Sequence, residues 1–473
     1  MIGALPEAGG FRTNSSYGFG TVFKITPNGT LTTLYAFGTV TTNAVVPIDG
    51  SNPQAGLIQG SDGNFYGTTF AGGTNTNELA SSYNSGEFNG YGTVFKINTN
   101  GVLTTLYAFG MITDVYGDPL DGQNPVAALA QDSEGNFYGT TQAGGENFEA
   151  GGLDGGTVFK ITTNGVLTIL YDFEAYDGAY PDAPLVQGSD DYLYGTTSAG
   201  GIGWDDNEDY NTAFGTVFKI SPNMPLGPLG LLEPPTSLFT FGATNGAGPQ
   251  AGLIQGSDGN LYGTTSGFSP PYHGGGTVFK ISTNLELTTL YSFTNVNDGQ
   301  NPFAGLVQGS DGSLYGTTDS GGMNNSGTVF KINPDGAGFT TLYSFSTASV
   351  DPNNANYATN SDGAYPRASL ILVGNTLYGT TSLGGASGFG TVFSLTLPVP
   401  PQLNIIAADA NVVLTWPANA TGFNDAGYTL ESTTNLVPPI GWQTNSVAPI
   451  VIGGQNVITN PISSSQMFFR LTQ

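Results

Sequence analysis

The chain has 473 residues, and its 72 glycines and 28 prolines, with 12% aromatic and 9% charged residues, favour a turn-rich β protein over helices, coiled coils or disorder. A net charge of −26 argues against nucleic-acid binding, because the summed field repels phosphates, and no apolar run approaches the ~20 residues needed for membrane insertion. The lack of cysteine and the single histidine, His273, exclude disulfides and Cys-ligated metals and argue against a Ser-His-Asp triad.

Most of the sequence consists of tandem repeats that share short segments. The segment Gly-Thr-Val-Phe begins at seven positions, spaced 51 to 72 residues apart: Gly20, Gly92, Gly156, Gly215, Gly276, Gly327 and Gly390. Six of these segments are preceded by Tyr-Gly-Thr-Thr, which begins at Tyr66, Tyr138, Tyr194, Tyr262, Tyr315 and Tyr378. A fixed period of this length indicates an array of supersecondary units.

Each unit contains four short runs rich in β-branched and aromatic residues, which we label strands A to D. Examples are residues 55–59 for A, 64–69 for B, 21–25 for C and 31–37 for D. The A to B and C to D links, at residues 60–63 and 26–29, end in Asp-Gly or Asn-Gly, which is typical of tight hairpins. Small residues in strand A suit an innermost strand, where backbones approach closely.

Four-stranded antiparallel units of this kind bury their faces by stacking radially, so the sequence predicts an all-β fold with a β-propeller. A linear solenoid would need shorter and more uniform coils. Seven blades are favoured, with residues 1–5 as a strand B in a first blade that lacks strand A. Six blades are possible if residues 31–37 complete the last blade instead. We expect a seam between the first and last blades, with fewer ladder hydrogen bonds than in the other sheets.

The repeated phrase Gly-Ser-Asp-Gly-Asn-Phe-Tyr-Gly-Thr-Thr at residues 60–69, followed by Gly-Thr-Val-Phe-Lys-Ile at residues 92–97, resembles the GloVer tandem repeat of the choice-of-anchor bacterial surface proteins. The resemblance covers residues 20–396. It implies a secreted or surface-exposed protein, hence an extracellular location, and offers no catalytic motif to transfer. Because the first residues lack the pattern of a signal peptide, we expect a truncated N-terminus.

The chain divides into a propeller at residues 1–397, a proline-rich linker at 398–401 and a second domain at 402–473. Residues 412–416, 428–432 and 468–471 alternate apolar and polar side chains, and tryptophans stand at positions 416 and 442. This last segment resembles a fibronectin type III-like module, which implies a small β-sandwich.

The B to C and D to A loops vary widely in length, whereas the A to B and C to D turns are short. In an antiparallel blade the two variable loop sets share one end, which we call the variable end, and the short turns share the uniform end. Carboxylates and aromatic rings concentrate in the variable loops, a combination that suits sugar recognition. The predicted binding residues are Trp204, Asp205, Asp206, Asp209, Tyr210, Glu146, Phe148, Glu149, Tyr272 and Tyr365. The alternative interpretation is a solvated acidic rim.

The sequence predicts no cofactor. The alternative is an irregular calcium-binding loop, because Asp205, Asn207 and Asp209 carry side-chain oxygens at alternating positions. Tyr210 and Thr216 stand where an EF-hand needs glycine and glutamate, so that motif is excluded.

Two repeated residue types are predicted to be structural. The aspartates before strand A are predicted to form Asx-type turns, and those of the A to B link to fold that hairpin. The first set is Asp49, Asp121, Asp177, Asp298 and Asp362, and the second includes Asp62, Asp258 and Asp311. A lysine recurs in six of the C strands and is predicted to reach an acceptor on a neighbouring strand.

The predicted function is therefore that of a non-catalytic propeller that binds a glycan or a surface protein through its variable end, with the oligomeric state left open. One alternative is a structural component of an extracellular or envelope assembly. A second is a carbohydrate-active enzyme, a glycosidase with paired carboxylates.

Overall fold

The computed structural model describes residues 2–5, 19–26, 28–39, 47–74, 90–115, 117–146, 155–201, 214–222, 236–242, 245–267, 275–294, 297–351, 354–397, 403–409, 411–417, 429–434, 441–445, 447–461 and 466–472. All regular structure in these residues is β-strand, as the composition predicts. No helix in these ranges has the length and apolar character that crossing a membrane requires.

The first repeat forms a three-stranded sheet of β1 (Ile2–Leu5), β2 (Thr21–Ile25) and β3 (Leu31–Ala36), with β2 in the middle. Ile2 pairs with Lys24, as Tyr66 pairs with Lys96 in the second repeat. This register confirms the prediction that residues 1–5 supply a strand B to the first repeat.

The next five repeats each form a four-stranded antiparallel sheet in the order A-B-C-D, as predicted. In the second repeat these strands are β4 (Ile58–Gln59), β5 (Phe65–Thr69), β6 (Thr93–Ile97) and β7 (Leu103–Ala108). The third has β8 (Ala130–Gln131), β9 (Phe137–Thr141), β10 (Thr157–Ile161) and β11 (Leu167–Asp172), and the fourth has β12 (Val186–Gln187), β13 (Leu193–Thr197), β14 (Thr216–Ile220) and β15 (Thr236–Thr240). The fifth has β16 (Ile254–Gln255), β17 (Leu261–Thr265), β18 (Thr277–Ile281) and β19 (Leu287–Ser292), and the sixth has β20 (Val307–Gln308), β21 (Leu314–Thr318), β22 (Thr328–Ile332) and β23 (Thr340–Ser344).

A short hairpin follows, β24 (Ser349–Asp351) with β25 (Asn354–Thr359), which the sequence did not predict. The seventh repeat contains β26 (Ile371–Val373), β27 (Thr376–Thr380) and β28 (Val392–Thr396), in that order. Among the described strands, the first repeat sheet thus lacks strand A and the seventh lacks strand D, as expected for the two ends of the array. The number of blades stays a prediction.

The Tyr-Gly-Thr-Thr segment shows why strand B has its sequence. A Cβ atom on Gly67 would lie 2.4 Å from Leu57 Cδ2 and 2.8 Å from Phe95 Cζ. Glycine is therefore needed at this position so that the Phe95 ring can cover strand B, because any larger residue would displace both neighbours.

The sheets of consecutive repeats pack face to face as the blades of a β-propeller. On one face of the second repeat, Tyr66, Val94 and Phe109 contact Leu129 and Phe159 of the third repeat. The same contact recurs at the following junctions, and in each the Phe after strand D meets the Phe of the next strand C edge to face. Burial of these faces is the main favourable contribution to the stability of the array.

The segments that lead into the A strands of neighbouring repeats lie side by side, which agrees with the predicted inner position of these strands. A Cβ atom on Gly252 would lie 2.7 Å from Pro184 Cγ of the preceding repeat, and one on Gly305 would lie 3.1 Å from the Gly252 carbonyl oxygen. The equivalent Gly56 has no described atom within 4 Å of its Cβ position. That difference agrees with the absence of a described strand A in the first repeat.

A side-chain hydrogen bond joins neighbouring repeats at the uniform end. The Gln131 Oε1 atom in strand A of the third repeat accepts the Ser61 N–H from the A to B turn of the second, at 3.0 Å. The same contact is made by Gln255 with Ser189 and by Gln308 with Ser257. Each of these repeats therefore offers an acceptor to the repeat before it.

The C-terminal segment forms two antiparallel sheets. One has the order β29 (Asn404–Ala408), β30 (Asn411–Pro417), β34 (Gln455–Pro461) and β33 (Ile450–Ile452), and the other has the order β32 (Gln443–Thr444), β31 (Thr429–Thr433) and β35 (Phe468–Thr472). Leu414, Trp416, Leu430 and Ile458 form its core. The compact unit comprises Leu372–Tyr378 and Ser394–Gln473. Two sheets agree with a sandwich, whereas the fibronectin type III resemblance stays a prediction, and the linker at 398–401 lies outside the described residues.

Candidate functional site

Two of the ten predicted binding residues, Glu146 and Tyr365, lie in the part of the chain that the structure describes. The remaining eight lie outside it: Trp204, Asp205, Asp206, Asp209, Tyr210, Phe148, Glu149 and Tyr272. The calcium candidate formed by Asp205, Asn207 and Asp209 also lies outside it. Within the described ranges, no group of three or more His, Asp or Glu side chains could hold a metal ion.

Glu146 and Tyr365 belong to different places on the variable end. Glu146 is exposed, and its backbone N–H donates to the carboxylate of Asp172, at the end of strand D in the third repeat. Burial and, to a lesser extent, the charge of Glu146 raise the pKa of Asp172 to about 6, and that hydrogen bond opposes them. Tyr365 is half-buried, and its N–H donates to the Ser326 carbonyl oxygen at 2.9 Å. The structure therefore does not bring these two residues together.

The five aspartates before strand A are held by the tyrosine of the preceding strand D. We call these contacts the loop pairs: Tyr35–Asp49, Tyr107–Asp121, Tyr171–Asp177, Tyr291–Asp298 and Tyr343–Asp362. The buried Asp121 is typical, since it accepts the Tyr107 hydroxyl at 2.6 Å and the N–H groups of Gly110 and Met111 at 2.9 and 3.0 Å. The prediction of an Asx turn is wrong. In such a turn the aspartate side chain accepts an N–H from a residue that follows it, whereas here the N–H donors precede the aspartate.

At the uniform end, the aspartate of each A to B turn accepts the hydroxyl of the strand B tyrosine. These turn pairs are Asp62–Tyr66, Asp132–Tyr138, Asp190–Tyr194, Asp258–Tyr262 and Asp311–Tyr315. Asp62 also accepts the Asn64 N–H at 3.0 Å, which confirms the predicted hairpin role. Burial alone would raise the pKa of Asp62, but the hydrogen bonds from Asn64 and Tyr66 outweigh it and lower the pKa.

Three of the strand C lysines contact the A to B hairpin of their own sheet, and one of them, Lys331, reaches a carboxylate acceptor there. Lys331 Nζ is 3.0 Å from Asp311 Oδ2, and Lys160 and Lys219 lie over the rings of Tyr138 and Tyr192. Their repetition in six of the seven C strands agrees with a structural role.

Residues that do not follow the repeat are found where strand A begins and strand B ends, at the variable end. We call this region the inner rim: it comprises the residue before the first alanine of each strand A segment and the residue after each Tyr-Gly-Thr-Thr segment. The first set is Gln54, Val126, Asp182, Gln250, Phe303 and Arg367, and the second is Phe70, Gln142, Ser198, Ser266, Asp319 and Ser382. Within each set the side chains differ in charge and size, unlike the strands beside them.

Asp182 forms the first polar cluster of the inner rim. Its carboxylate accepts the Gln142 amide of the preceding repeat at 2.8 Å and the Ser198 hydroxyl at 2.7 Å. Burial raises the pKa of Asp182, and the hydrogen bonds from Ser198 and Gln142 oppose that effect.

Arg367 forms the second cluster. Its Nε atom donates to Asp319 Oδ1 at 2.7 Å, and its guanidinium carbon lies 5.6 Å from the centre of the Phe303 ring. Asp319 is buried, whereas the Arg367 side chain is 63% exposed. The sequence prediction missed both clusters, although a position-by-position comparison of the repeats shows these residues as the exceptions.

Large apolar side chains are exposed on the variable loops: Met111, Ile112, Val115, Tyr176, Met323 and Phe389. A groove of about 550 Å³ lies on the sixth repeat and is lined by Asn297, Met323, Asn324, Thr341, Leu342, Tyr343 and Ser344. It combines a thioether and a phenol ring with amide and hydroxyl groups. This is the composition of a site that contacts both the apolar face and the hydroxyls of a small polar ligand.

The structure is similar to solved proteins of low sequence identity. A putative 6-phosphogluconolactonase from Bacteroides fragilis is 16% identical over 84% of this chain and 95% of its own, with a TM-score of 0.43. An α-L-arabinanase from Penicillium chrysogenum, complexed with arabinobiose, is 12% identical over 72% of this chain and 92% of its own, with a TM-score of 0.41. At these levels neither protein indicates an activity or a ligand for this chain.

No curated protein matches the sequence. The Gloeobacter/Verrucomicrobia repeat family matches residues 8–226 and 210–358, more than half of the chain. With the repeated strands and turns described above, this match shows that the chain belongs to the Gloeobacter/Verrucomicrobia repeat family.

Proposed function

We propose that the protein is a non-catalytic binding protein that holds a carbohydrate at its variable end, outside the cell. The groove of the sixth repeat carries this proposal. Its volume of about 550 Å³ falls in the range of about 300–1,000 Å³ common for ligand sites.

The chemistry of the groove supports a sugar ligand. Met323 is 80% exposed, although burying such a side chain on a monomer would be favourable. The neighbouring Asn297 and Asn324 carry amides that can donate to and accept from hydroxyls. A sugar ring offers an apolar face to Met323 and hydroxyls to the amides.

The loop pairs support a binding role over a catalytic one. All five aspartates already accept a tyrosine hydroxyl and a backbone N–H, so these carboxylates hold the loops in place. The glycosidase alternative stays a prediction.

A glycan array probed with the full chain tests the proposal. We expect binding to one sugar class, and at least a fivefold loss of affinity when Met323→Ala is combined with Asn297→Ala. Met111→Ala is the matched control, because Met111 is also exposed on the variable end but lies outside the groove. A blank array with folded protein, or equal losses in both variants, would contradict the proposal.

An assembly role is the second candidate, and the C-terminal unit carries it. Ile405 and Ile406 on β29 are exposed, as are Ile450, Val451 and Ile452 on β33. These strands are the two edges of one sheet, and exposed apolar edges favour pairing with other chains. Light scattering over a concentration series tests this candidate: it requires a rising mass that Ile406→Lys and Val451→Lys reduce, and a constant monomer mass would exclude it.

A further inference from the structure

Arg367 on the inner rim is held in place while remaining accessible. The hydrogen bond from its Nε to buried Asp319 restrains the side chain, and the Phe303 ring lies beside the guanidinium. With 63% of the side chain exposed, the arginine has already lost much of the rotamer freedom that binding would otherwise cost.

Asp319 engages only one of the nitrogens of the guanidinium. In the described part of the chain, Arg367 makes one hydrogen bond, through Nε, and its two terminal nitrogens make none. These two nitrogens match the spacing of the two oxygens of a carboxylate. A carboxyl group is therefore the ligand that this geometry fits best.

The other repeats show that folding does not require this pair. The positions of Asp319 and Arg367 are occupied by Phe70 and Val126 at the junction of the second and third repeats. At the junction of the fourth and fifth they are occupied by Ser198 and Gln250. These junctions pack in the same way without an ion pair. We therefore infer that the ion pair between the sixth and seventh repeats has a role other than packing.

An exposed arginine at the position of Arg367 is unusual in a protein that carries so much negative charge. Of the nine basic residues, the six strand C lysines lie near the uniform end and Arg470 lies in the C-terminal unit, so Arg367 is the basic residue described at the variable end. The net charge of −26 opposes anions at long range, but salt at 0.15 M screens distant charges beyond about 8 Å. A direct contact with Arg367 is screened much less.

The surroundings of Arg367 favour a sugar as the carrier of the carboxyl group. The half-buried Phe303 ring lies beside the guanidinium, and the exposed Ser382, which follows the Tyr-Gly-Thr-Thr segment of the same repeat, donates its hydroxyl to the Tyr365 carbonyl oxygen and can still accept a hydrogen bond. An aromatic ring and a hydroxyl acceptor suit a sugar ring, whereas a peptide C-terminus would also need a pocket for its last side chain.

We propose that Arg367 forms a carboxylate-binding site on the inner rim that takes an acidic sugar, such as a uronate unit of a glycan. The site is separate from the groove of the sixth repeat, which lies at the outer strand of its sheet, and it does not depend on a ligand there.

Calorimetric titration of the full chain with D-glucuronate and with trigalacturonate tests this site, with D-glucose as the neutral comparison. We expect both acids to bind and glucose to bind at least tenfold more weakly. Arg367→Gln should lower the affinity for the acids at least tenfold, and Arg367→Lys should lower it about fivefold, because an ammonium lacks the paired donors.

Arg470→Gln is the matched control. Arg470 also lies beside a carboxylate and an aromatic ring, Glu431 and Trp442, but its Nε and Nη2 atoms both contact Glu431, at 2.8 and 2.7 Å. This variant should bind the acids like the original protein. Thermal melts of each variant establish that it is folded.

Several results would overturn the inference. They are no binding of either acid by folded protein, equal affinity of Arg367→Gln and the original protein, or tighter binding of an acetylated peptide with a free C-terminal carboxylate than of the sugars. Binding at the groove with no effect of Arg367→Gln would overturn the inference while leaving the proposed function intact.

Discussion

The two ends of the repeats use the same two side chains, tyrosine and aspartate, in different ways. At the uniform end the turn pair lies within one hairpin, and Asp62 and Tyr66 are four residues apart. At the variable end the loop pair joins the start and the end of a D to A loop. Its partners are 6 positions apart in Tyr171–Asp177 but 19 positions apart in Tyr343–Asp362. The loop pair thus fixes where strand A begins whatever the length of the loop, which frees the loop beyond it to differ between repeats.

The largest expected difference between the ends is in stability. Asp121→Ala should cost about 3 kcal/mol of unfolding free energy, because it leaves the Tyr107 hydroxyl and two backbone N–H groups without their acceptor in a buried site. Asp62→Ala should cost less, about 1–2 kcal/mol, because Asp62 is exposed and water can replace it at the Asn64 N–H, so that only the buried Tyr66 hydroxyl loses its acceptor. Urea unfolding of both variants measures the difference, and equal losses would show that the two kinds of pair are equivalent.

A second difference concerns pH. The pKa of Asp172 is about 6 in the folded protein, against about 3.9 in an unfolded chain. The folded state therefore binds this proton more tightly, so the carboxyl group destabilises the fold as pH rises from 4 through 6. Asp172→Ser, which introduces the residue found at Ser292 and Ser344, should stabilise the protein by about 1–2 kcal/mol at pH 7.5 and by little at pH 4.

Melting temperatures of the original protein and Asp172→Ser at pH 4, 6 and 7.5 measure this effect. Asp62→Asn at the uniform end is the opposite case, because the pKa of Asp62 is lowered and its contribution is lost only as pH falls below about 4. A constant gain for Asp172→Ser at all three pH values would contradict the explanation.

The smallest expected effect is the coupling energy between two substitutions in the fourth repeat, where other residues stand in place of the tyrosine and aspartate of the loop pair. Phe239 stands at the tyrosine position, and Asn245 accepts the Gly242 N–H at 2.8 Å where other repeats use aspartate. The Phe239 ring contacts Phe241 edge to face, as Tyr107 contacts Phe109. Phe239→Tyr combined with Asn245→Asp should therefore be more stable than the sum of the single changes by about 1 kcal/mol.

Urea unfolding of all four proteins gives this coupling energy. Additive changes would mean that the hydroxyl and the carboxylate do not meet in this repeat.

Sequence reasoning was accurate where the contacts are local. The Asp62 turn, the four strands of the second to sixth repeats and the strand at residues 2–5 could be predicted, because hairpin chemistry and alternation act over a few residues. The loop pairs and the Arg367–Asp319 contact could not, because their partners lie 6 to 19 and 48 residues apart and meet through loop paths and sheet stacking. Most of the predicted binding residues lie outside the described residues, so that prediction remains open.

The contact between Gln131 and Ser61 has a consequence for how such a chain changes in evolution. The third, fifth and sixth repeats each carry in strand A a glutamine whose side-chain oxygen accepts a hydrogen bond from the preceding repeat. In all three cases the donor is the serine N–H in the A to B turn of that preceding repeat. If a gene rearrangement duplicates or deletes one whole repeat, the two ends it brings together already carry both halves of this contact. We therefore expect relatives of this protein to differ in length by whole repeats, while changes of part of a repeat are eliminated.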